Sequence, residues 1–262
     1  MPDAAFEAWI ADLAPLLEAV AEWDQRALLF AGRIRRETPE LASAVFSRMV
    51  AAAFSRRSDA DRITLESGLL ANLKNQWTLE HRRHAREAAA AFEQTLTLEF
   101  LVLPAEIDYS EDERDAPDYG LGRPLTLGER RALATRPSRR IIERAMLDPH
   151  PMVARRLLSN PKLTENDAVR IAAGQGSPAA LLAEVAGHPR WRRSRRVSFS
   201  LISNPVLPHA HGVSLLPALP LHDVLAIRDD QRLSDGTRGA SEALIESRKP
   251  LLQASGSAFR CH

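Results

Sequence analysis

The sequence predicts an all-α fold: an α-solenoid of stacked helical units preceded by an N-terminal helical region. Three observations lead there. Leu-Leu-Ser-Asn-Pro-Lys-Leu-Thr at 157–164 returns as Leu-Ile-Ser-Asn-Pro-Val-Leu-Pro at 201–208, a shift of 44. The same shift aligns Val153 with Val197, Leu157 with Leu201, Asn160 with Asn204, Leu163 with Leu207 and Val169 with Val213. At a shift of 38, Leu125-Thr126 matches Leu163-Thr164, and His150-Pro151 matches His188-Pro189. Self-similarity at periods of roughly 20 to 50 residues marks stacked supersecondary units, because one short unit cannot cover its own apolar face.

The first elements are helices at roughly 4–22, 24–36, 39–56, 59–75 and 78–100. Thr38-Pro39-Glu40 and Ser58 with Asp61 are start signals. Phe6, Ile10, Leu13 and Leu17 share one helical face. Residues 95–103 have strand propensity but no partner strand, so they are read as the end of a buried helix. This region, 1–103, is a bundle or a set of degenerate units that open the solenoid. Residues 104–124 read as a solvated acidic linker, with Glu106, Asp108, Glu111, Asp112, Glu113, Asp115 and Asp118 ahead of Gly120, Gly122 and Pro124. The segment 104–119 is expected to be loosely packed.

The repeats occupy 125–250, with 251–262 a flexible tail. Each unit reads as three helices. Thr126 with Glu129 has the spacing of a capping box, and Thr164 with Asp167 is a second cap candidate. Ser177-Pro178 places a cap and a first-turn proline before the next helix, which is expected to end near Gly187. The third helix stops at Asn160-Pro161, since proline disfavours helical geometry in the residue before it. Asn160, Pro161, Asn204 and Pro205 are therefore equivalent turn residues. Between the His-Pro and Asn-Pro pairs the second unit is six residues longer, at about 190–195, and those residues read Arg-Trp-Arg-Arg-Ser-Arg.

Charge supports the boundary. The whole chain is near neutral at +1, but residues 1–124 carry 14 basic and 22 acidic groups, whereas 125–262 carry 21 and 12. Cys261 is the only cysteine, which excludes an intramolecular disulfide and a four-thiolate metal site, and fits a cytoplasmic location. The first residues carry no basic segment of a secretory leader, and no apolar run is long enough to span a membrane.

Chemistry-bearing patterns are sparse. His81 and His84 lie one turn apart with Glu87 beyond them, but two arginines separate them, which suits a solvated face better than a metal. His209 and His211 align with the cap residues Glu165 and Asp167 and are expected at the surface. His150 and His188 read as turn residues. There is no phosphate loop, dinucleotide fingerprint or nucleophile elbow. No catalytic residue, metal or cofactor is assigned, and nothing in the sequence favours an enzyme.

Val153-x-x-x-Leu157-Leu158-x-Asn160-Pro161-x-Leu163-Thr164 and its copy from Val197 to Pro208 resemble the repeats of the HEAT/armadillo class. The resemblance is closer to the bacterial leucine-rich repeat variant proteins. It covers about 100 residues and implies a right-handed α-solenoid. The iron–sulfur centre of the variant family does not carry over, because the cysteines are missing. HEAT-like solenoids include DNA glycosylases with a basic groove, but no motif residue of theirs is present. The expectation is a non-enzymatic module that binds a macromolecular partner, a protein in the first reading and a nucleic acid in the second. The insertion residues Arg190, Trp191, Arg192, Arg193, Arg195 and Arg196 are the candidate contacts, since Trp and Arg dominate binding hot spots. A rival reading packs Trp191 over the core and pairs the arginines with carboxylates of neighbouring helices.

Overall fold

A computed structural model describes residues 3–52, 59–103, 116–174 and 176–258. Among them are fifteen α-helices and no strand. The chain divides into two compact units, one made of Met1–Pro104 with Leu216–His262, the other of Ala105–Leu215.

The first unit opens with α1 (Asp3–Glu18), α2 (Trp23–Ile34), α3 (Pro39–Ala52), α4 (Asp59–Leu73), α5 (Leu79–Ala91) and α6 (Thr95–Phe100). Phe6, Trp9, Leu13 and Leu17 of α1 are buried, as are Phe30 and Ile34 of α2 and Phe46 of α3. Gly68 lets α4 approach the others: a Cβ there would stand 2.6 Å from Met49 Cε and 2.9 Å from Phe30 Cζ. The helix expected over 78–100 is broken. Glu93 adopts a left-handed φ of 52°, and Gln94 N–H donates back to Ala89 O at 2.8 Å, which closes α5 as a Schellman turn and starts α6 afresh. Asn75 closes α4 the same way, with φ 54° and a bond from Gln76 N–H to Ala71 O. Arg82, buried, donates to Asn72 and Asn75 and ties α5 to that turn.

The second unit holds α7 (Leu127–Ala134), α8 (Arg139–Ala145), α9 (Pro151–Leu158), α10 (Glu165–Ala173), α11 (Ala179–Gly187), α12 (Arg195–Ile202) and α13 (His209–Leu215). The third helix of each triplet lies on the first, α9 on α7 and α12 on α10, and α9 also packs on α11. Both capping boxes are formed, at Thr126 with Glu129 and at Thr164 with Asp167. The cap at 177–178 differs from expectation. Pro178 is the N-cap, and the Ser177 hydroxyl instead donates to Ile171 O at 2.9 Å. Gly187 belongs to α11 without a positive φ, so the helix ends through the extended His188.

The sequence placed residues up to 250 in the repeat region. In the structure the second unit ends at Leu215, and α14 (Leu221–Asp229) and α15 (Asp235–Ala258) belong to the first unit, with α15 on α14 and α6. Pro217 and Pro220 interrupt the chain at the crossover, and no third helix triplet follows α13. Helix α15 runs on through Ala258, into the segment expected to be a flexible tail. Residues 104–115 of the acidic linker lie outside the described residues. Its described end is anchored, since Tyr119 is buried and its hydroxyl donates to Asp148 at 2.8 Å.

Candidate interaction surface

The repeat geometry is set by two asparagines. Asn160 is buried just past the end of α9. Its amide donates to Ala134 O at 2.8 Å and Arg136 O at 3.0 Å, the unpaired carbonyls at the end of α7, and its Oδ1 accepts from Lys162 N–H. Asn204 repeats this after α12, donating to Ala172 O at 2.9 Å and Gly174 O at 3.1 Å and accepting from Val206 N–H. Each asparagine thus satisfies carbonyls that a helix end leaves open and staples the third helix of a triplet to the first. His150 and His188 also match. The Nδ1 of each accepts the backbone N–H two residues on, from Met152 at 3.1 Å and Arg190 at 3.3 Å.

The six-residue insertion lies between His188 and α12, and most of its polar reach is inward. Trp191 is 2 % exposed, and its Nε1 donates to Leu158 O, the end of α9, at 2.9 Å. Arg192 is also 2 % exposed, and its guanidinium donates to Ala186 O at 3.4 Å and Ser214 O at 3.3 Å. A cation is well placed there, because the C-terminal ends of α11 and α13 carry partial negative charge. Arg190 stacks on Trp191, with its Cζ 4.1 Å from the ring centroid. Arg196 is exposed and pairs with Glu165 at 3.3 Å and Asn166 at 2.9 Å. Arg193 and Arg195 are exposed. Trp191 packs into the interior, as the rival reading had it; Arg192 is buried too, but on helix-end carbonyls rather than the carboxylates that reading expected, and Arg190, Arg193, Arg195 and Arg196 stay exposed.

A second buried polar cluster lies in the first triplet, around Asp148. Asp148 is buried with Arg130, whose Nη1 donates to both carboxylate oxygens at 2.9 and 3.0 Å. The Tyr119 phenol completes the cluster, and burial together with the Asp148 charge keeps it protonated well above its ordinary range. Asp167 caps α10 and accepts both guanidinium arms of Arg139 from α8, which holds its carboxyl below the ordinary range.

His81 Nδ1 accepts from Trp77 Nε1–H at 2.8 Å, so the ring proton sits on Nε2 and points to Glu37 O at 3.1 Å. Both nitrogens are thus engaged, and His84 is exposed. His211, expected at the surface, is buried on α13. Burial, followed by the nearby Arg192 charge, pulls its pKa down to about 4. Among the described residues no group of three His, Cys, Asp or Glu is arranged to hold a metal, and no helix is long and apolar enough to cross a membrane.

What does face outward is a row the sequence reading passed over. Arg140 and Arg144 stand one turn apart on α8, and Arg136 lies in the α7–α8 turn before it; all three are exposed. None has a carboxylate partner among the described residues. Leu147, 67 % exposed, extends the row. The Arg140 guanidinium lies over Gly120, where a Cβ would come within 2.6 Å of Nη2 and where φ is +74°. The four-residue spacing was the available signal. Its value lay in which arginines lack partners, which only the fold reveals.

Comparison with protein-family models, curated proteins and solved structures found no match for this chain.

Proposed function

We propose that the protein is a non-enzymatic interaction module whose helical-repeat unit binds an acidic surface of a protein partner. In this reading the three-helix units stack as a right-handed α-solenoid of the HEAT/leucine-rich-repeat-variant kind, and the matching Asn160 and Asn204 staples support that. The observation that carries the functional reading is the outward row Arg136, Arg140, Arg144 and Leu147. Planar guanidinium groups suit bidentate recognition of carboxylates, and the exposed leucine gives the row an apolar end. Residues 105–215 carry seventeen Lys and Arg against thirteen Asp and Glu, a modest positive excess that favours an anionic partner.

A nucleic acid is the second reading, favoured by the same excess of arginine. The first is preferred because Trp191 and Tyr119 are buried, so neither offers a ring for a base to stack on. Fluorescence anisotropy with a labelled peptide of alternating Glu and Leu, and separately with DNA and RNA duplexes, tests the two. The proposal expects peptide binding that weakens with salt and is lost when Arg136, Arg140 and Arg144 become Ala. Duplex binding lost in the same variant establishes the second reading. Binding of either probe unaffected by the triple substitution, or no binding at low salt, refutes both.

A further inference from the structure

The repeat unit contains its own template for what covers α8. Helix α11 is the second helix of its triplet, as α8 is of the first, and their N-caps, Ser138 and Pro178, lie 40 residues apart. At that shift Ile142 falls on Leu182 and Ala145 on Val185, all four buried on the inner side of their helices. The opposite side of α11 holds Ala180, Ala183 and Glu184, because residues three and four apart share a helix face. There α9, the third helix of the preceding triplet, packs on it. Ala180 and Ala183 are buried, and Glu184 accepts from Arg155 Nη2 at 2.5 Å and Nε at 3.0 Å. One turn on, Ser159 Oγ lies 3.5 Å from His188 Nε2. Both contacts join residues 29 apart, so α9 runs parallel to α11.

The matching side of α8 holds Arg140, Glu143, Arg144 and Leu147, all exposed. Among the described residues of the second unit, no helix precedes α7 to cover it. Glu143 is already paired with Arg139 at 3.0 Å, which leaves this face positive. The end unit of a helical stack carries a polar outer face for solubility. A face made only for that purpose balances its charges and has no use for a bare leucine. We infer that the partner supplies an acidic amphipathic helix that lies along α8 and parallel to it, as α9 lies along α11. Glu184 of α11 takes Arg155 of α9; on α8 the sign is reversed at Arg144, so the incoming helix carries a carboxylate in the place of Arg155. A second carboxylate one turn earlier faces Arg140, and an apolar side chain three residues after the first meets Leu147. Arginine is longer than the alanine it replaces, so this helix stands further from α8 than α9 does from α11. The inference rests on the reading of the α8 arginines as the partner contact, and adds the shape, direction and register of what they hold.

Fluorescence anisotropy on the full chain tests it, with labelled alanine-based peptides of about 20 residues, long enough to hold a helix in water. One peptide carries two Glu four positions apart and a Leu three beyond the second. The other has the same composition with those three residues spread over different faces. The first is expected to bind roughly tenfold more tightly or better. Arg144→Glu recreates the charge of Glu184. It should lose the first peptide and bind a version whose second Glu is Arg, but not one whose first Glu is Arg. Arg140→Glu should make the opposite choice, and both variants should melt with the parent, since both positions face solvent. Equal binding of the two parent peptides, or rescue by the wrong position, overturns the inference and leaves an acidic partner standing. Failure of both helical peptides to bind overturns it too. If the alternating Glu and Leu peptide also fails at low salt, the functional reading falls with it.

Discussion

Replacing Asn160 by alanine isolates the staple on which the repeat depends. The side chain is almost fully buried and makes three hydrogen bonds, two donated to Ala134 O and Arg136 O and one accepted from Lys162 N–H. Alanine is too short to replace any of them. Each buried polar group left without a partner costs about 1–3 kcal/mol; with partial relaxation the expected loss is about 3 kcal/mol. Asn160→Asp should do worse. Its carboxylate keeps the acceptor for Lys162 but sets negative charge against two carbonyl oxygens. Equilibrium urea denaturation, followed by helical circular dichroism, gives both values. A loss below about 0.5 kcal/mol for the alanine variant, the range of neutral surface changes, would refute the staple argument. So would an aspartate variant as stable as the parent.

Asn204→Ala should cost a similar amount, since its three bonds match in kind and length. His211 predicts an acid-sensitive fold. Its pKa falls from an ordinary 6.5 to about 4 in the folded chain, so between those values the unfolded chain binds a proton that the native state refuses. Stability therefore drops as pH falls through that window, by about 3 kcal/mol, and His211→Gln should flatten the slope in denaturation curves taken at several pH values. Gly68→Ala should lower the melting temperature, because the added methyl collides with Met49 and Phe30; overpacking of this kind costs about 1–3 kcal/mol. Tyr119→Phe removes a donor to the buried Asp148 carboxylate and should cost about 1.5–3 kcal/mol, measured by the same denaturation.

Much of the second unit was legible because its signals are local. A threonine three residues before an acid became two capping boxes, and Asn before Pro became two turns with matching bonds. The His-Pro pairs likewise became two matching turns. The site of the insertion was legible too, but not its direction. Sequence composition makes Arg-Trp-Arg-Arg look like a contact surface, because arginine is rarely buried. Here helix C-termini supply the negative ends that allow Arg192 inside. Two other features had no local signal. Glu93 takes a left-handed conformation usually given to glycine, so a continuous apolar pattern hid the break between α5 and α6. The return of 216–258 to the first unit depends on long-range packing that periodicity does not encode. His211 was read from its alignment with Asp167, and both positions prove to be buried.

Two sets of arginines look alike in the sequence; in the proposed reading buried Arg192 holds the repeat unit together, whereas exposed Arg136, Arg140 and Arg144 meet the partner. One paired measurement tests it, the melting temperature and the affinity for the labelled Glu-Leu peptide of two variants, Arg192→Ala and the triple Arg136, Arg140 and Arg144→Ala. The account predicts a crossed result. The first variant melts well below the parent but, while still folded in the cold, binds the peptide as the parent does. The second melts with the parent and loses the peptide. The reverse pattern, with Arg192→Ala stable but unable to bind and the triple variant binding normally, would contradict it.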